Sequence, residues 1–260
     1  MTRLSVDVLR RNAEAEIERM EGFCGGRLGV AALHLETGST VRHNDGDRFP
    51  IASTVKILLG MTVLMKAENG DFRLTDLIDV EPSEFAPLEV LGAEFPHPGV
   101  RLSILNLLET TITHSDNTAT DALYRLVGGT DAVARTAGRM GVSGFEVRRT
   151  MREALAVLHE ISLPPPDISI RSALADLPAR QLDTRNRTTS EGGYHHDRRD
   201  HGTPEDMLEI LRVLWRGDLV SWQSRDILVS IMTRTRARQR IGGRIPQGVG
   251  IANKTGSGAG

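Results

Sequence analysis

The sequence predicts a mixed α/β (α+β) fold, in which the two chain ends build a sheet-bearing domain around an inserted all-α domain. Three observations predict this arrangement. Residues 27–43 contain two short apolar runs around a Glu-Thr-Gly turn, as in a β-hairpin. Residues 53–67 are apolar on every side except at their two lysines, which is typical of a helix at the centre of a domain. Residues 248–257, near the end of the sequence, are a strand candidate.

The remaining elements follow from apolar spacing and from capping residues. Residues 4–21 predict an amphipathic surface helix. Thr203 followed by Pro204 and two acids predicts a helix start, because each residue type is favoured there. Further helices are predicted at 102–112, 118–127, 130–140, 204–215 and 221–232. The predicted boundaries are 1–49 and 233–260 for the sheet domain, 50–232 for the all-α domain, and about 162–201 for a lid-like insertion with a short helix near 171–177.

Composition excludes several classes of partner. The 260 residues carry 32 basic and 34 acidic side chains, a net charge of −2, which argues against binding nucleic acid by bulk charge. The longest mostly apolar stretch, 57–65, is far shorter than the roughly 20 residues of a membrane span. The first 20 residues contain no signal-peptide pattern, so we expect the chain as written to be cytoplasmic or already processed. Its single cysteine excludes an intramolecular disulfide.

The kind of positive charge is unusual. Only three of the 32 basic residues are lysines, namely Lys56, Lys66 and Lys254. A guanidinium stays protonated, whereas an amine can be tuned to lose its proton. A lysine in such an arginine-rich chain therefore raises the question of what arginine could not do at that position.

Ser53 and Lys56 place a hydroxyl and an amine three positions apart at the start of the apolar helix. Residues at this spacing share a helix face, so the amine can accept the hydroxyl proton if burial keeps it neutral. The helix N-terminus also offers unpaired N–H groups to an oxyanion. Taken alone, the pair is better explained as a capping serine and a lysine whose charged end reaches water.

Two further motifs carry polar groups, and each has an ordinary structural interpretation. Ser115, Asp116 and Asn117 precede a predicted helix, where these residue types are common caps. The segment from Lys254 to Ser257 puts a cation and hydroxyls at the end of the predicted strand. Neither motif points to catalysis by itself.

Together, the three motifs resemble a known family. The order SxxK, SDN, KTG, with 62 and then 139 residues between the leading positions, is similar to class A β-lactamases and their penicillin-binding relatives. The flanking runs RFPIASTVKILL, ITHSDNTATDALYRLVGG and IANKTGSG extend the likeness to about residues 25–150 and 203–257. The resemblance implies an antiparallel sheet flanked by helices, with an all-α domain beside it.

The resemblance also implies roles for these residues. Ser53 would attack a β-lactam carbonyl, Lys56 would take its proton, and Ser115, helped by Lys254, would protonate the leaving nitrogen. Asn117 would bind the side-chain amide of the substrate. Thr255, Gly256 and Ser257 would bind the substrate carboxylate, and the backbone N–H groups of Ser53 and Ser257 would form the oxyanion hole. Arg240 and Arg244 are candidates for assisting with the carboxylate, although a basic surface run explains them at least as well. No cofactor or metal is implied, and His195, His196 and His201 are interpreted as part of a solvated lid.

The sequence departs from the family at two places. The family's ExxLN segment, whose glutamate activates the deacylating water, is absent, and Met151 falls about where that glutamate belongs. Either Glu153 or an acid of the insertion replaces it, or deacylation is slow; the insertion candidates are Glu191, Asp197 and Asp200. The second departure is at the C-terminus, where the family's last strands and helix are missing, which favours a fragment.

The functional prediction is a β-lactamase-like serine hydrolase. The alternatives are a penicillin-binding DD-peptidase or esterase relative that takes an acyl-D-Ala-like substrate, and a slowly deacylating β-lactam binder. The predicted partners are small molecules only, and the predicted state is a monomer, or a dimer if another chain completes the sheet. The resemblance implies periplasmic or secreted localisation, although no export signal is visible in the sequence.

Overall fold

The structure, a computed structural model, describes residues 6–175, 177–178, 199–236, 240–246 and 248–258. It is mixed α/β, and in this part of the chain the strands are short. The helices are α1 (Val6–Cys24), α2 (Val55–Glu68), α3 (Glu89–Glu94), α4 (Ile104–Thr113), α5 (Asn117–Val127), α6 (Thr130–Arg139), α7 (Met151–Leu158), α8 (Ile170–Ala175), α9 (Pro204–Arg216) and α10 (Trp222–Thr233). The strands are β1 (Val30–Leu33), β2 (Thr40–His43), β3 (Phe49–Pro50), β4 (Leu77–Asp79), β5 (Arg101–Ser103) and β6 (His201–Gly202).

Helix α2 lies at the centre of the core, as its apolar surface predicts. Every residue from Val55 to Leu64 is buried, and α2 packs against α4, α5, α6 and α10. Gly60 lets two neighbours approach, since a Cβ there would lie 3.0 Å from Leu228 of α10 and 3.3 Å from Leu108 of α4. The first turn of α2, which carries Lys56 and directly follows the turn with Ser53, is therefore held rigidly from several sides.

Side-chain caps fix the starts of the helices around α2. Asp116 caps α5 by accepting a hydrogen bond from the Ala119 N–H at 2.8 Å. Thr203 and Asp206 form a capping box at the start of α9, with Pro204 at the first position. The prediction of this helix start from Thr203 and Pro204 is confirmed.

The sheet differs from the single antiparallel sheet predicted. The described residues form three separate antiparallel pairs, β1–β2, β3–β6 and β4–β5. The predicted hairpin is confirmed as β1–β2, with Val30 opposite His43 and Leu33 opposite Thr40. The pairs β3–β6 and β4–β5 lie within residues 50–232 or at their border, a region predicted to be all-α. The division into two domains stays a prediction.

The prediction of a strand over residues 248–257 is wrong. No strand is present in the described residues 248–258. The backbone N–H of Asn253 instead donates to the Met232 carbonyl near the end of α10 at 3.2 Å, and the Thr235 hydroxyl donates to the Asn253 carbonyl at 2.9 Å. A strand is defined by its ladder with a neighbour, and this segment is anchored to a helix end instead.

The first part of the predicted insertion packs on the helical region. Helix α8 confirms the short helix expected there, and its Ile170 and Leu174 join Ala86 and Ala156 in a small apolar cluster. Arg171 stacks 4.6 Å from the centroid of the Phe85 ring. Residues 179–198 lie outside the described residues. In the part of the chain that is described, no helix is long and apolar enough to cross a membrane.

Candidate functional site

Ser53 lies in a short 3-10 helix, Ala52–Thr54, that leads directly into α2. The preceding Ala52 has a φ of 43°, in the left-handed region that side chains other than glycine rarely adopt. The Thr54 N–H donates to the Ile51 carbonyl at 3.0 Å, which closes the tight turn. Strained backbone of this kind often marks a functional site, because the surrounding structure must hold it in place.

Lys56, in the first turn of α2, is completely buried, with 0% of its surface exposed. Its Nζ donates to the Ser115 carbonyl oxygen at 2.6 Å, to Ser115 Oγ at 3.2 Å and to Asn117 Oδ1 at 2.7 Å. Burial lowers the pKa of this amine, and nearby carboxylates oppose the shift only in part. The shift, to about 8, brings the amine closer to losing its proton than an ordinary lysine, and the neutral form is the one that can accept a proton from Ser53.

Ser115 lies between two lysines. Its φ of 60° turns the chain sharply between α4 and α5. Ser115 Oγ accepts from Lys254 Nζ at 2.9 Å as well as from Lys56, and Lys254 also donates to the Thr255 carbonyl at 2.7 Å. Burial, and next the charge of Lys56, lower the pKa of Lys254 to about 7. Two cations in one enclosed space disfavour each other's charge, which makes each ammonium easier to deprotonate. Ser115 Oγ therefore has two groups beside it that can donate or relay a proton.

The Asn117 side chain joins Lys56 to a carboxyl group. Its Oδ1 accepts from Lys56, and its Nδ2 donates to Glu89 Oε1 at 3.4 Å. The neighbouring Asp116 acts on the backbone instead, since it is buried and its Oδ2 accepts from the Leu91 N–H at 2.7 Å. Asp116 thereby holds the segment that carries Glu89 against the start of α5.

The KTG segment passes close to Ser53. A Cβ on Gly256 would lie 3.2 Å from the Ser53 backbone nitrogen, which leaves little room for any residue but glycine. Arg240 donates to the Gly256 carbonyl at 2.7 Å and to Ser257 Oγ at 2.8 Å. Of the two arginines considered from the sequence, both of which are exposed, Arg240 contacts this segment.

An apolar wall lies beside Ser53. A cavity there is lined by Asn117 and by Met151, Leu155 and Leu158 of α7. Met151 thus lies near Ser53, about where the resemblance would place a glutamate. A thioether cannot act as a general base, so these α7 residues offer no proton acceptor.

The acids proposed as replacements for that glutamate lie in different places. Glu153 accepts at Oε2 from the Thr150 N–H at 2.8 Å and from the Thr150 hydroxyl at 3.0 Å, so it closes a capping box at the start of α7. Asp200 pairs with the buried Arg149. Glu191 and Asp197 lie outside the described residues. The identity of a deacylation base remains a prediction.

Two buried carboxylates fix the position of α7 and of the turn before Ser53. Asp121 accepts from the backbone N–H groups of Met151 at 2.7 Å and Arg152 at 2.8 Å, and burial raises its pKa to about 7. Asp200 accepts from the Arg149 backbone N–H at 3.1 Å, and its carbonyl accepts from the Ile51 N–H at 2.9 Å. Through these contacts the end of the insertion is tied to the segment that carries Ser53.

Sequence reasoning missed Glu89, Asp121 and Arg149. None belongs to a motif, and each gains its position from a contact that is distant along the chain. The one signal for Glu89 is an acid within the otherwise apolar run APLEVLG. For metal binding, the described residues contain no group of three or more His, Cys, Asp or Glu side chains that could hold an ion. Of the three histidines interpreted as a solvated lid, His201 is described, and for it the prediction is wrong, because it is buried in β6. Its Nδ1 lies 2.9 Å from the Arg199 carbonyl oxygen.

The buried helix with its hydroxyl and amine groups, the second serine between two lysines and the mixed α/β fold define the class A β-lactamase-like proteins. The chain belongs to the Beta-lactamase enzyme family, whose model matches residues 12–260. It is a β-lactamase-like hydrolase.

Known proteins support this membership along most of the chain. The β-lactamase VEB-1 of Pseudomonas aeruginosa is 25% identical over 251 residues, covering 95% of this chain and 72% of that protein. The crystal structure of a β-lactamase from Sphaerobacter thermophilus is 28% identical, with a TM-score of 0.71, covering 94% of this chain and 77% of that one. A β-lactamase from Chitinophaga pinensis is 25% identical, with a TM-score of 0.73, covering 95% and 78%.

Removing one partner of the buried pair of Arg149 and Asp200 should cost far more stability than removing one partner of a surface pair. We expect Asp200→Asn to lower the free energy of unfolding by about 3 kcal/mol, because it removes the negative charge that faces the buried Arg149 guanidinium. The matched control is Glu146→Gln, which removes the half-exposed partner of Arg48 and should cost less than about 1 kcal/mol. Urea unfolding of both variants gives the comparison. Equal losses in the two variants would contradict the role given to burial.

Proposed function

We propose that the protein is a serine β-lactamase that opens β-lactam rings through an acyl-enzyme on Ser53. The observation that carries the proposal is the convergence of Lys56 and Lys254 on Ser115 Oγ, at 3.2 and 2.9 Å, beside the helix start that bears Ser53. In this arrangement Lys56 can accept a proton and Lys254 can donate one, and the Ser115 hydroxyl connects the two amines. The β-lactamases among its relatives supply the class of substrate.

In the acylation step, the Ser53 hydroxyl proton passes to the neutral amine of Lys56 while Oγ bonds to the lactam carbonyl carbon. The carbonyl oxygen becomes an oxyanion, which the backbone N–H groups of Ser53 and Ser257 stabilise. As the ring C–N bond breaks, the nitrogen takes the proton of Ser115, and Lys254 or Lys56 replaces it. The proton count balances, since one proton leaves Ser53 and one reaches the ring nitrogen.

Binding of the substrate uses the other polar groups. The carboxylate next to the lactam nitrogen meets Thr255 and Ser257, with the charge of Arg240 behind them. Arg240 already orients this segment through Gly256 and Ser257, so its positive charge lies where an anion would be attracted. The Asn117 amide receives the acyl side chain. Water then attacks the acyl carbonyl and releases Ser53 as the free hydroxyl.

The requirement for a neutral amine is tested by Lys56→Arg, which keeps the charge but cannot lose a proton. We expect the rate of acylation by a chromogenic cephalosporin to fall roughly 100-fold or more, as for the loss of a general base. The matched control is Lys66→Arg on the same helix, where the lysine forms an ion pair with Asp71 and should tolerate the change. Near-normal acylation by Lys56→Arg would overturn the base role, and no acylation by the unaltered protein would overturn the proposed function.

The apolar wall beside Ser53 makes deacylation the step that a new carboxylate should affect most. Met151 lines the cavity at the first position of α7, where the helix dipole favours an acid. We expect Met151→Glu to raise the rate of acyl-enzyme hydrolysis by roughly 100-fold through general-base catalysis, while Met151→Gln leaves it nearly unchanged. Single-turnover decay of the acyl adduct, followed by mass spectrometry, measures this rate. An equal effect of both substitutions would show that charge is irrelevant there.

A further inference from the structure

Glu89 is a carboxyl group in the site that the mechanism above does not use. It begins α3, and one of its oxygens, Oε1, accepts from the Asn117 amide. The other, Oε2, is buried, and no hydrogen-bond partner is present for it among the described residues. Burying a carboxylate oxygen without a partner costs free energy, so its position calls for a compensating role.

The backbone around Glu89 is held in a strained form. Leu88 and Glu89 have φ values of 66° and 47°, both in the left-handed region. A Cβ on Gly92 would lie 1.8 Å from the Ala86 carbonyl oxygen, so the turn closes too tightly for any other residue there. Strain of this kind persists only where several contacts enforce it.

Those contacts come from two sides. From the start of α5, Asp116 accepts from the Leu91 N–H. From the insertion, the Arg171 guanidinium donates to the Gly92 carbonyl at 3.1 Å and to the Phe95 carbonyl at 2.8 Å. Because α3 is fixed from both sides, the Glu89 carboxyl group is held next to Asn117 and the lysines.

The other acids around Lys56 are already fully engaged. Asp116 binds two backbone N–H groups, and Asp121 binds the first two N–H groups of α7. Each therefore has its charge balanced locally by donors on both oxygens. Glu89 is held by Asn117 and keeps one buried oxygen without a partner, so its charge is the least satisfied by its own neighbours and acts most directly on the amine.

We infer that Glu89 is a positioning residue whose carboxyl group, joined to Lys56 through the Asn117 amide, sets the charge of the Lys56 amine. The inference rests on the proposed function, because it concerns the group proposed to deprotonate Ser53. Glu89 is thus an acid that α3 contributes to the site, whereas α7 contributes the uncharged Met151.

The charges that face these two groups determine the sign of the effect. Lys56 faces Glu89 from α3, Asp116 from the cap of α5 and Asp121 from α5 itself, and Lys254 faces the same space. Burial raises the pKa of Glu89, and the positive charge of Lys56 opposes this shift. An anion beside an amine favours the ammonium, so removing the Glu89 charge must lower the pKa of Lys56 further.

The scarcity of lysine permits a direct test. With three lysines in the chain, selective 13C labelling gives three side-chain resonances, and Lys66, paired with Asp71 in the last turn of α2, is an internal control. We expect Glu89→Gln to lower the titration midpoint of Lys56 by roughly 1 pH unit and to leave Lys66 unmoved. Glu94→Gln, on the same helix but exposed, should change neither midpoint.

Glu89→Ala is the second variant if Glu89→Gln does not fold, and the same direction of shift is expected. An unchanged or raised Lys56 midpoint in the folded variant overturns the inference. The measurement needs no substrate, so its failure is distinct from failure of the proposed function, which an absence of acylation in the unaltered protein would reveal. If both hold, the pH at which acylation rises should move down with the Lys56 midpoint, in kinetics measured with the cephalosporin.

Discussion

The burial of one amine is the constraint on which the rest of the structure depends. Lys56 can be kept from water only because α2 is apolar on nearly every side and is enclosed by four other helices. Its three hydrogen bonds to Ser115 and Asn117 satisfy the amine without giving it a carboxylate partner at contact distance. A lysine in a contact salt bridge would hold its proton more tightly, whereas burial here lowers the pKa of the amine. The packing of the core around α2 therefore sets the protonation chemistry of Lys56.

The acids near the site hold different parts of it together. Asp116, Asp121 and Asp200 each accept hydrogen bonds from backbone N–H groups at turns or helix starts, so their charges stabilise structure. Asp116 positions α3, Asp121 positions α7, and Asp200 positions the turn before Ser53. These contacts stabilise backbone that is strained, as the left-handed φ values of Ala52 and Ser115 illustrate. Glu89 stands apart because its charge is directed at the amine.

Much of this could be predicted from residue patterns, because the patterns act locally. The apolar surface of α2 and the Thr203 cap of α9 follow from short-range rules, and the three motifs together indicate the family. The strand predicted at 248–257 fails because a strand depends on a neighbour, which no local pattern reveals. Glu89 and the pairing of Arg149 with Asp200 were missed for the same reason, since 51 residues separate the partners of that ion pair.

We propose that Ser53 becomes covalently acylated when Lys56 accepts its proton. The most direct measurement is rapid acid quenching of the protein mixed with excess β-lactam, followed by intact-mass analysis and peptide mapping. We expect one acyl adduct per chain, located on the peptide that contains Ser53 and absent from Ser53→Ala. Ring opening that proceeds without an adduct and survives Ser53→Ala, or an adduct on another residue, would contradict it.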